Sequence, residues 1–233
     1  MSQAIKDRLT ALRKTPLFAD LADDELRYII HRVLTRRFGI GDAIFSEGDP
    51  CPGLWVVESG KVKIFKAAAN GREQVLTFEG PGSSIAELPV FDGGSYPASA
   101  TAMADSTLLF VSKEDFRLLC LKHPAVALKA LRVVGARLRS LVAIIEELSF
   151  STVRHRLASL LVRLARQGSR VARGIEIALP ANQQEVAAQI GTVRELVSRG
   201  LGRLQAQGTI EIDGRRIVIR NLKALQRELT DSE

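Results

Sequence analysis

The apolar positions of the chain follow two rhythms. Between Phe38 and Val111 they come in short runs: Ile44-Phe45, Leu54-Trp55-Val56-Val57, Val62-Lys63-Ile64-Phe65, Val75-Leu76-Thr77-Phe78 and Thr107-Leu108-Leu109-Phe110-Val111. Turn signals separate them, among them Gly48-Asp49-Pro50, Asn70-Gly71, Gly80-Pro81-Gly82 and Asp92-Gly93-Gly94. Short strands at near-regular spacing predict an antiparallel sandwich or barrel, and a roll of that kind encloses an interior that can hold a ligand. Helical spacing precedes it, over Leu9 to Phe18 and Asp23 to Leu34.

After Ser112 the rhythm becomes helical, and Pro124, suited to a first helical turn, opens a long helix. Leu131, Val134, Leu138, Leu141, Ile145 and Leu148 alternate by three and four, a heptad seam. At 1.5 Å per residue the stretch from Pro124 to Ser149 spans roughly 39 Å. Arg132, Arg137 and Arg139 lie off that row, so the pattern predicts a parallel homodimer seam in preference to a helix that merely covers the roll. Val153 to Gln167 is a further amphipathic helix, and Arg154, Arg156, Arg163, Arg166, Arg170 and Arg173 read most simply as a solvated face that can touch phosphates. Ile175 to Leu179 reads as a strand stopped by Pro180.

The last part of the chain spells a winged helix-turn-helix. Asn182 can cap a helix, with Glu185 three residues on to return the bond. Ala187 permits a close helix crossing, and Gly191 can take a left-handed turn. The next helix, Val193 to Gln207, packs through Val197, Leu201 and Leu204 and leaves Arg194, Glu195, Ser198 and Arg199 on its N-terminal exposed side, where a recognition helix meets base edges. Gln183 and Thr192 are further candidate DNA contacts. Arginine can fork onto guanine and glutamate can accept from cytosine, so the set predicts a G·C-containing half-site. The competing reading is a surface ion pair between Glu195 and Arg199. Thr209 to Ile219 supplies the wing, with Arg215 and Arg216 at its tip as phosphate contacts. Gly200 and Gly202 each cost up to about 1 kcal/mol of helix stability relative to Ala, which predicts a marginal reader helix.

Charge sharpens this picture. Of the net +7, residues 151 to 233 carry 14 Lys+Arg against 8 Asp+Glu, so the excess sits with the winged motif and points to a polyanion. No aromatic residue follows Phe150, which removes the stacking platforms of single-strand readers and favours double-stranded DNA. With 46% apolar residues the 233-residue chain can bury two modest cores. No apolar run is long enough for a membrane span and no signal peptide is evident, so the expectation is a cytoplasmic protein with no membrane partner. Cys51 and Cys120 are too few for a disulfide framework or metal cluster. No nucleophile-base-orienter set or phosphate loop appears, so an enzyme is not expected.

With these pieces assembled, the chain resembles the CRP/FNR family of bacterial transcription factors, from Pro16-Leu17-Phe18 to about Leu222. Gly41-Asp42, Glu47-Gly48-Asp49, Ser59 to Ile64, Ala86-Glu87-Leu88 with Phe91, the long helix and Arg194 to Arg199 carry the resemblance by their order and spacing. It implies an α+β fold: a cyclic-nucleotide-binding-like antiparallel β-roll (residues 1–123), a dimerisation helix (124–150) and a winged helix-turn-helix (151–233). It implies a DNA-binding regulator of transcription, an activator in the first instance with repression left open, with RNA polymerase as partner, acting as a homodimer on palindromic sites. Arg194, Glu195 and Arg199 fall on the family's base-reading positions, implying half-sites like TGTGA or variants with GTG or TTG, and Leu196 replaces the usual Thr.

The implied effector pocket comprises Ala86, Glu87, Leu88, Pro97, Ala98, Ser99, Leu141 and Val142. Glu87 falls on the ribose-binding position, Ala86 replaces the usual Gly, and the phosphate-binding Arg-Ser pair falls on Pro97-Ala98. Leu141-Val142 replaces the adenine-contacting Thr-Ser pair. A cyclic phosphate would there enter a partly apolar cavity unpaired, which argues against cyclic AMP or GMP. An iron-sulfur sensor needs four cysteines. Haem on His31, His123 or His155 and oxidation of a cysteine are weaker readings, so the expectation is no cofactor, with an apolar or small organic effector or none. The alternative class is a ligand-sensing or scaffold module without sequence-specific DNA binding.

Overall fold

A computed structural model describes residues 3–19, 21–171, 174–179, 182–213 and 216–229. The chain divides into two compact units, Met1–Lys66 with Leu76–Leu141, and Ala67–Val75 with Val142–Glu233.

The first unit opens with α1 (Gln3–Lys14) and α2 (Asp23–Ile30). The helix expected over Leu9 to Phe18 thus lies earlier: Pro16 disfavours helical backbone at Thr15, and the chain turns there through Phe18 N–H donating to Thr15 O. The second expected helix also stops short, at Ile30, because Leu34 already belongs to β1 (Leu34–Phe38). There follow β2 (Ala43–Phe45), β3 (Gly53–Ser59), β4 (Val62–Ala67), β5 (Glu73–Glu79), β6 (Ser84–Ile85), α3 (Glu87–Asp92), β7 (Ser99–Ala102), β8 (Ser106–Ser112), α4 (Lys113–Lys122) and α5 (Pro124–Phe150). The strands form two four-stranded sheets, β1-β8-β3-β6 and β2-β7-β4-β5, the antiparallel roll the runs predict. Three strands lacked a sequence signal. β1 and β6 are short or exposed, and β7 (Ser-Ala-Thr-Ala) is built of small residues, so none shows a run of large apolar side chains.

Period-two alternation explains why one sheet serves two cores. Leu54 and Val56 of β3, with Leu109 and Val111 of β8, face Leu12, Phe18, Leu26, Phe116 and Leu119 of the helices. Val57 and Leu108 point the other way and meet Val62, Ile85 and Ala100 inside the roll. Ser112 caps α4 by accepting from Asp115 N at 3.1 Å.

The second unit holds the C-terminal part of α5, then α6 (Val153–Ala165), β9 (Ser169–Val171), β10 (Gly174–Ala178), α7 (Gln183–Gln189), α8 (Arg194–Ala206), β11 (Ile210–Asp213), β12 (Arg216–Ile219) and α9 (Leu222–Arg227). Its sheet runs β11-β12-β10-β9, and Asp213 faces Arg216 across the β11/β12 hairpin. Arg215 and Pro180 lie outside the described residues. Leu157, Leu160 and Leu161 of α6, Val186 of α7, Leu201 and Leu204 of α8, Ile217 and Ile219 of β12 and Leu225 of α9 make one core. Among the described residues no helix is long and apolar enough to cross a membrane.

Arg203 of α8 pins the chain just past α9 through a two-pronged pair, Nη1 to Glu228 Oε1 at 2.9 Å and Nη2 to Oε2 at 2.7 Å. Those hydrogen bonds hold the Glu228 carboxyl below its ordinary 4.5. A depressed carboxylate stabilises the fold above its unfolded pKa, and that contribution is lost as pH falls through the folded value. Glu228→Gln therefore destabilises this unit at pH 7 by on the order of 1 kcal/mol, a modest figure because both side chains are partly solvated. The gap from the parent closes as pH drops below 4.5 in denaturant titrations, and a gap constant with pH would refute an ionic origin.

Candidate nucleic-acid interface and effector cavity

The helix-turn-helix is assembled by local signals. Asn182 accepts from Glu185 N at 2.9 Å and caps α7, so the Asn182 half of the expected capping box is present. Gly191 adopts φ 65, the left-handed conformation the turn requires. Fully buried Ala187 lets α7 and α8 cross closely, and Thr192 N donates back to its carbonyl at 2.9 Å. Thr192 is itself buried, so its side chain belongs to the turn and does not present itself for DNA as the sequence reading expected.

Val197, Leu201 and Leu204 anchor α8 in the core, which turns Arg194, Glu195, Ser198 and Arg199 to solvent. No ion pair joins Glu195 to Arg199 among the described residues, so the competing surface-pair reading is not the arrangement found. The N-terminus of α8 has Val193 as its N-cap and no side-chain cap, leaving first-turn N–H groups available to an anion. Gln183 is half-buried at the start of α7, and Arg216 is exposed on the wing 3.7 Å from Glu176. Gly200 has a packing reason that its sequence position did not reveal. A Cβ there would stand 2.6 Å from Leu157 Cδ2, so the missing side chain permits α8 to lie against α6, whereas Gly202 faces open space.

The arginine run after α5 hides one buried member. Arg156 is 8% exposed, and its Nη1 donates to Ser151 O at 2.8 Å and Leu148 O at 3.4 Å, while Nη2 reaches Gly191 O at 3.4 Å. Burial pushes its pKa down, offset by the charge of Glu147. The solvated-face reading is therefore wrong for this residue: it closes the C-terminal end of α5 and braces the helix-turn-helix turn.

Within the first unit, a cavity of about 690 Å³ opens between the roll and α5. Of the expected pocket residues, Ala86, Glu87, Leu88, Pro97, Ala98 and Leu141 line it. Ser99 and Val142 are not among its walls: Ser99 Oγ instead accepts from Glu47 N at 3.0 Å, and Val142 is largely exposed. Ala86 has φ 68, which no other described non-glycine residue shares with a positive sign, and this explains why the family pattern places Gly there. Pro97 and Ala98 offer the cavity no cation, as expected. The reading missed Arg137, which reaches in from α5 and donates to Glu87 and to Ser84 O, with Glu79 3.4 Å from Nη2. An arginine is thus present, but held by the protein's own acceptors.

Along α5, Leu131, Leu138 and Ile145 of the heptad row are each more than 60% exposed, an uncovered apolar stripe in the single chain. The histidines lie elsewhere than in the cavity, and His123 Nδ1 pairs with Glu25 at 2.6 Å. Cys51 and Cys120 are free, and burial pushes the Cys120 thiol up to about 11, away from a reactive thiolate.

A β-roll, a long helix with an apolar stripe and a winged helix-turn-helix define a DNA-binding regulator of transcription. Family comparison agrees: a cyclic nucleotide-binding domain matches residues 35–123 and a Crp-like helix-turn-helix domain residues 155–228. The chain is 33% identical over 215 residues to the cyclic AMP receptor protein of Thermus thermophilus, covering 92% of this chain and 97% of that one. It is 31% identical over 191 residues to the CRP-like cAMP-activated global transcriptional regulator of Mycobacterium tuberculosis, covering 82% and 85%. Among solved structures, a CooA mutant from Carboxydothermus hydrogenoformans superposes with a TM-score of 0.71 at 26% identity, covering 84% and 88%. The chain belongs to the CRP/FNR family of transcription regulators.

The Arg156 brace makes a prediction that separates it from a solvated arginine. Arg156→Met keeps the apolar stem but removes three carbonyl contacts, and lowers stability by about 1–3 kcal/mol. Hydrogen exchange at the Thr192 amide then quickens more than at mid-α8 amides. Arg156→Lys recovers only part of the loss, because a point charge cannot reproduce the fork. An unchanged thermal midpoint in the Met variant would show that the brace contributes nothing.

Proposed function

We propose that the chain acts as a homodimer that reads a palindromic DNA site through Arg194, Glu195, Ser198 and Arg199, with Gln183, Arg215 and Arg216 as backbone contacts, and activates transcription through RNA polymerase. The observation that carries this reading is the solvent-facing set on the N-terminal half of α8, held by a buried opposite face. Arg194 and Arg199 supply forks for guanine, and Glu195 supplies an acceptor for cytosine. The exposed leucine stripe of α5 favours a two-fold pair of reader heads, and two-fold proteins read two-fold sites.

Two relatives are named for cyclic AMP. We infer a different effector for this chain. The cavity's arginine is already shared between two carboxylates and a carbonyl, and Pro97-Ala98 offers no second cation, so a cyclic phosphate would have to compete with two carboxylates for that one guanidinium. Haem is disfavoured by the position of the histidines, and oxidation of Cys120 by its raised pKa.

Selection from a randomised duplex pool yields a two-fold motif with G·C pairs in each half-site. Arg199→Ala weakens binding to that motif by roughly 1–3 kcal/mol and relaxes preference at one position per half-site. Uniform weakening on every sequence would reduce Arg199 to a phosphate contact. Cyclic AMP at about 1 mM leaves the thermal midpoint unchanged, since a ligand stabilises only what it binds. A saturable rise would overturn the pocket reading.

A further inference from the structure

The cavity of the roll has an unusual charge balance. Its charged wall groups are Glu79, Glu87 and Arg137, two carboxylates against one guanidinium. Arg137 is turned toward the protein's own acceptors, donating to Glu87 and Ser84 O with Glu79 beside it. Glu87 is 1% exposed, and its Oε1 has no hydrogen-bond partner in the protein. An ionised carboxylate only accepts hydrogen bonds, so this buried oxygen calls for a donor, and an anion entering beside it would meet an excess of negative charge. The remaining wall is mainly aliphatic, together with Phe45 and Tyr96, whose rings stack with centroids 3.9 Å apart. Burial pushes the Tyr96 phenol up to about 12, so it remains neutral.

We propose that this cavity binds an aromatic molecule that lacks any anionic group and carries an N–H or O–H donor, which is received by Glu87 Oε1. The inference deepens the reading of the cavity as the effector site and rests on it. The stacked Phe45 and Tyr96 wall and the aliphatic lining favour a ring system of low polarity. The orphan carboxylate oxygen fixes which end of the molecule enters toward α3. The same oxygen rejects carboxylates, sulfonates and phosphates of similar shape, so specificity comes from the unfavourable pairing as much as from the favourable one.

A matched pair of dyes tests this on the full-length chain. N-phenyl-1-naphthylamine is uncharged and has one N–H, and 1-anilinonaphthalene-8-sulfonate adds a sulfonate to the same skeleton. In fluorescence titrations at neutral pH the uncharged dye saturates at one per chain, and the sulfonate binds at least about tenfold more weakly. Glu87→Gln removes the excess charge and shrinks that preference to less than about threefold. Ala98→Phe obstructs the cavity and abolishes the one-per-chain binding. Should that variant fail to fold, Ile64→Phe obstructs the same space from another strand. Equal or tighter binding of the sulfonate, displacement of the uncharged dye by micromolar cyclic AMP, or dye binding indifferent to obstruction would each overturn the proposal. None of these readouts involves DNA. Failure here leaves the palindrome selection intact, and loss of that selection with the dye still bound at one per chain overturns the regulator reading alone.

Discussion

A buried guanidinium must find acceptors, and the way Arg156 finds them organises the DNA-binding unit. A helix end leaves its last carbonyls unsatisfied, and a tight turn between two helices leaves others. Arg156 serves both at once, meeting Leu148 O and Ser151 O at the close of α5 and Gly191 O in the turn before α8. The cost of burying its charge is visible in its lowered pKa, and Glu147 offsets part of it. Gly191 is the left-handed residue of the turn and its carbonyl lies 3.4 Å from Arg156 Nη2, so the turn glycine and the arginine meet at this corner. Once this corner is fixed, Val197, Leu201 and Leu204 need only pack for the polar face of α8 to be presented.

The roll solves a comparable problem differently. Glu87 begins α3 directly after the left-handed Ala86, a strained backbone position for a residue with a Cβ. That geometry carries the Glu87 carboxylate into the cavity, where Arg137 neutralises one oxygen and leaves the other. The pair is internal to the protein. An arginine that a charged ligand would need is therefore already turned toward two carboxylates, and drawing it away would leave the buried Glu87 carboxylate without its partner.

The features legible in the sequence are those decided by near neighbours. The Asn182 cap, the Gly191 turn, the wing hairpin within Thr209 to Ile219 and the three-four spacing of α5 all depend on residues a few positions apart. Arg156 and Arg137 were illegible for the opposite reason. Each looks like one member of a basic helix, and what local spacing could not show is the contact made far along the chain, with Gly191 35 residues from Arg156 and with Glu87 50 residues from Arg137. Gly200 reads as a helix weakness until Leu157 is placed against it. Thr192 reads as a polar contact until the turn folds over it. Ser99 and Val142 follow the family pattern in sequence, but strand pairing and helix rotation turn them away from the cavity walls.

The cavity and the expected dimer seam share residues. Val134, Leu138 and Leu141 stand on the heptad row of α5 and also line the cavity. On the proposed function, a molecule in the cavity touches the same side chains that a second copy would cover, so the two binding events are linked. Linkage is reciprocal: whatever factor the ligand adds to pairing, pairing adds to ligand affinity. A ligand that packs equally well in both states would change neither equilibrium, however tightly it bound. The selective element is therefore the row itself. Its leucines lie half in the cavity wall and half on the exposed stripe, and a ligand gates DNA binding only insofar as it favours the arrangement in which those leucines suit a partner.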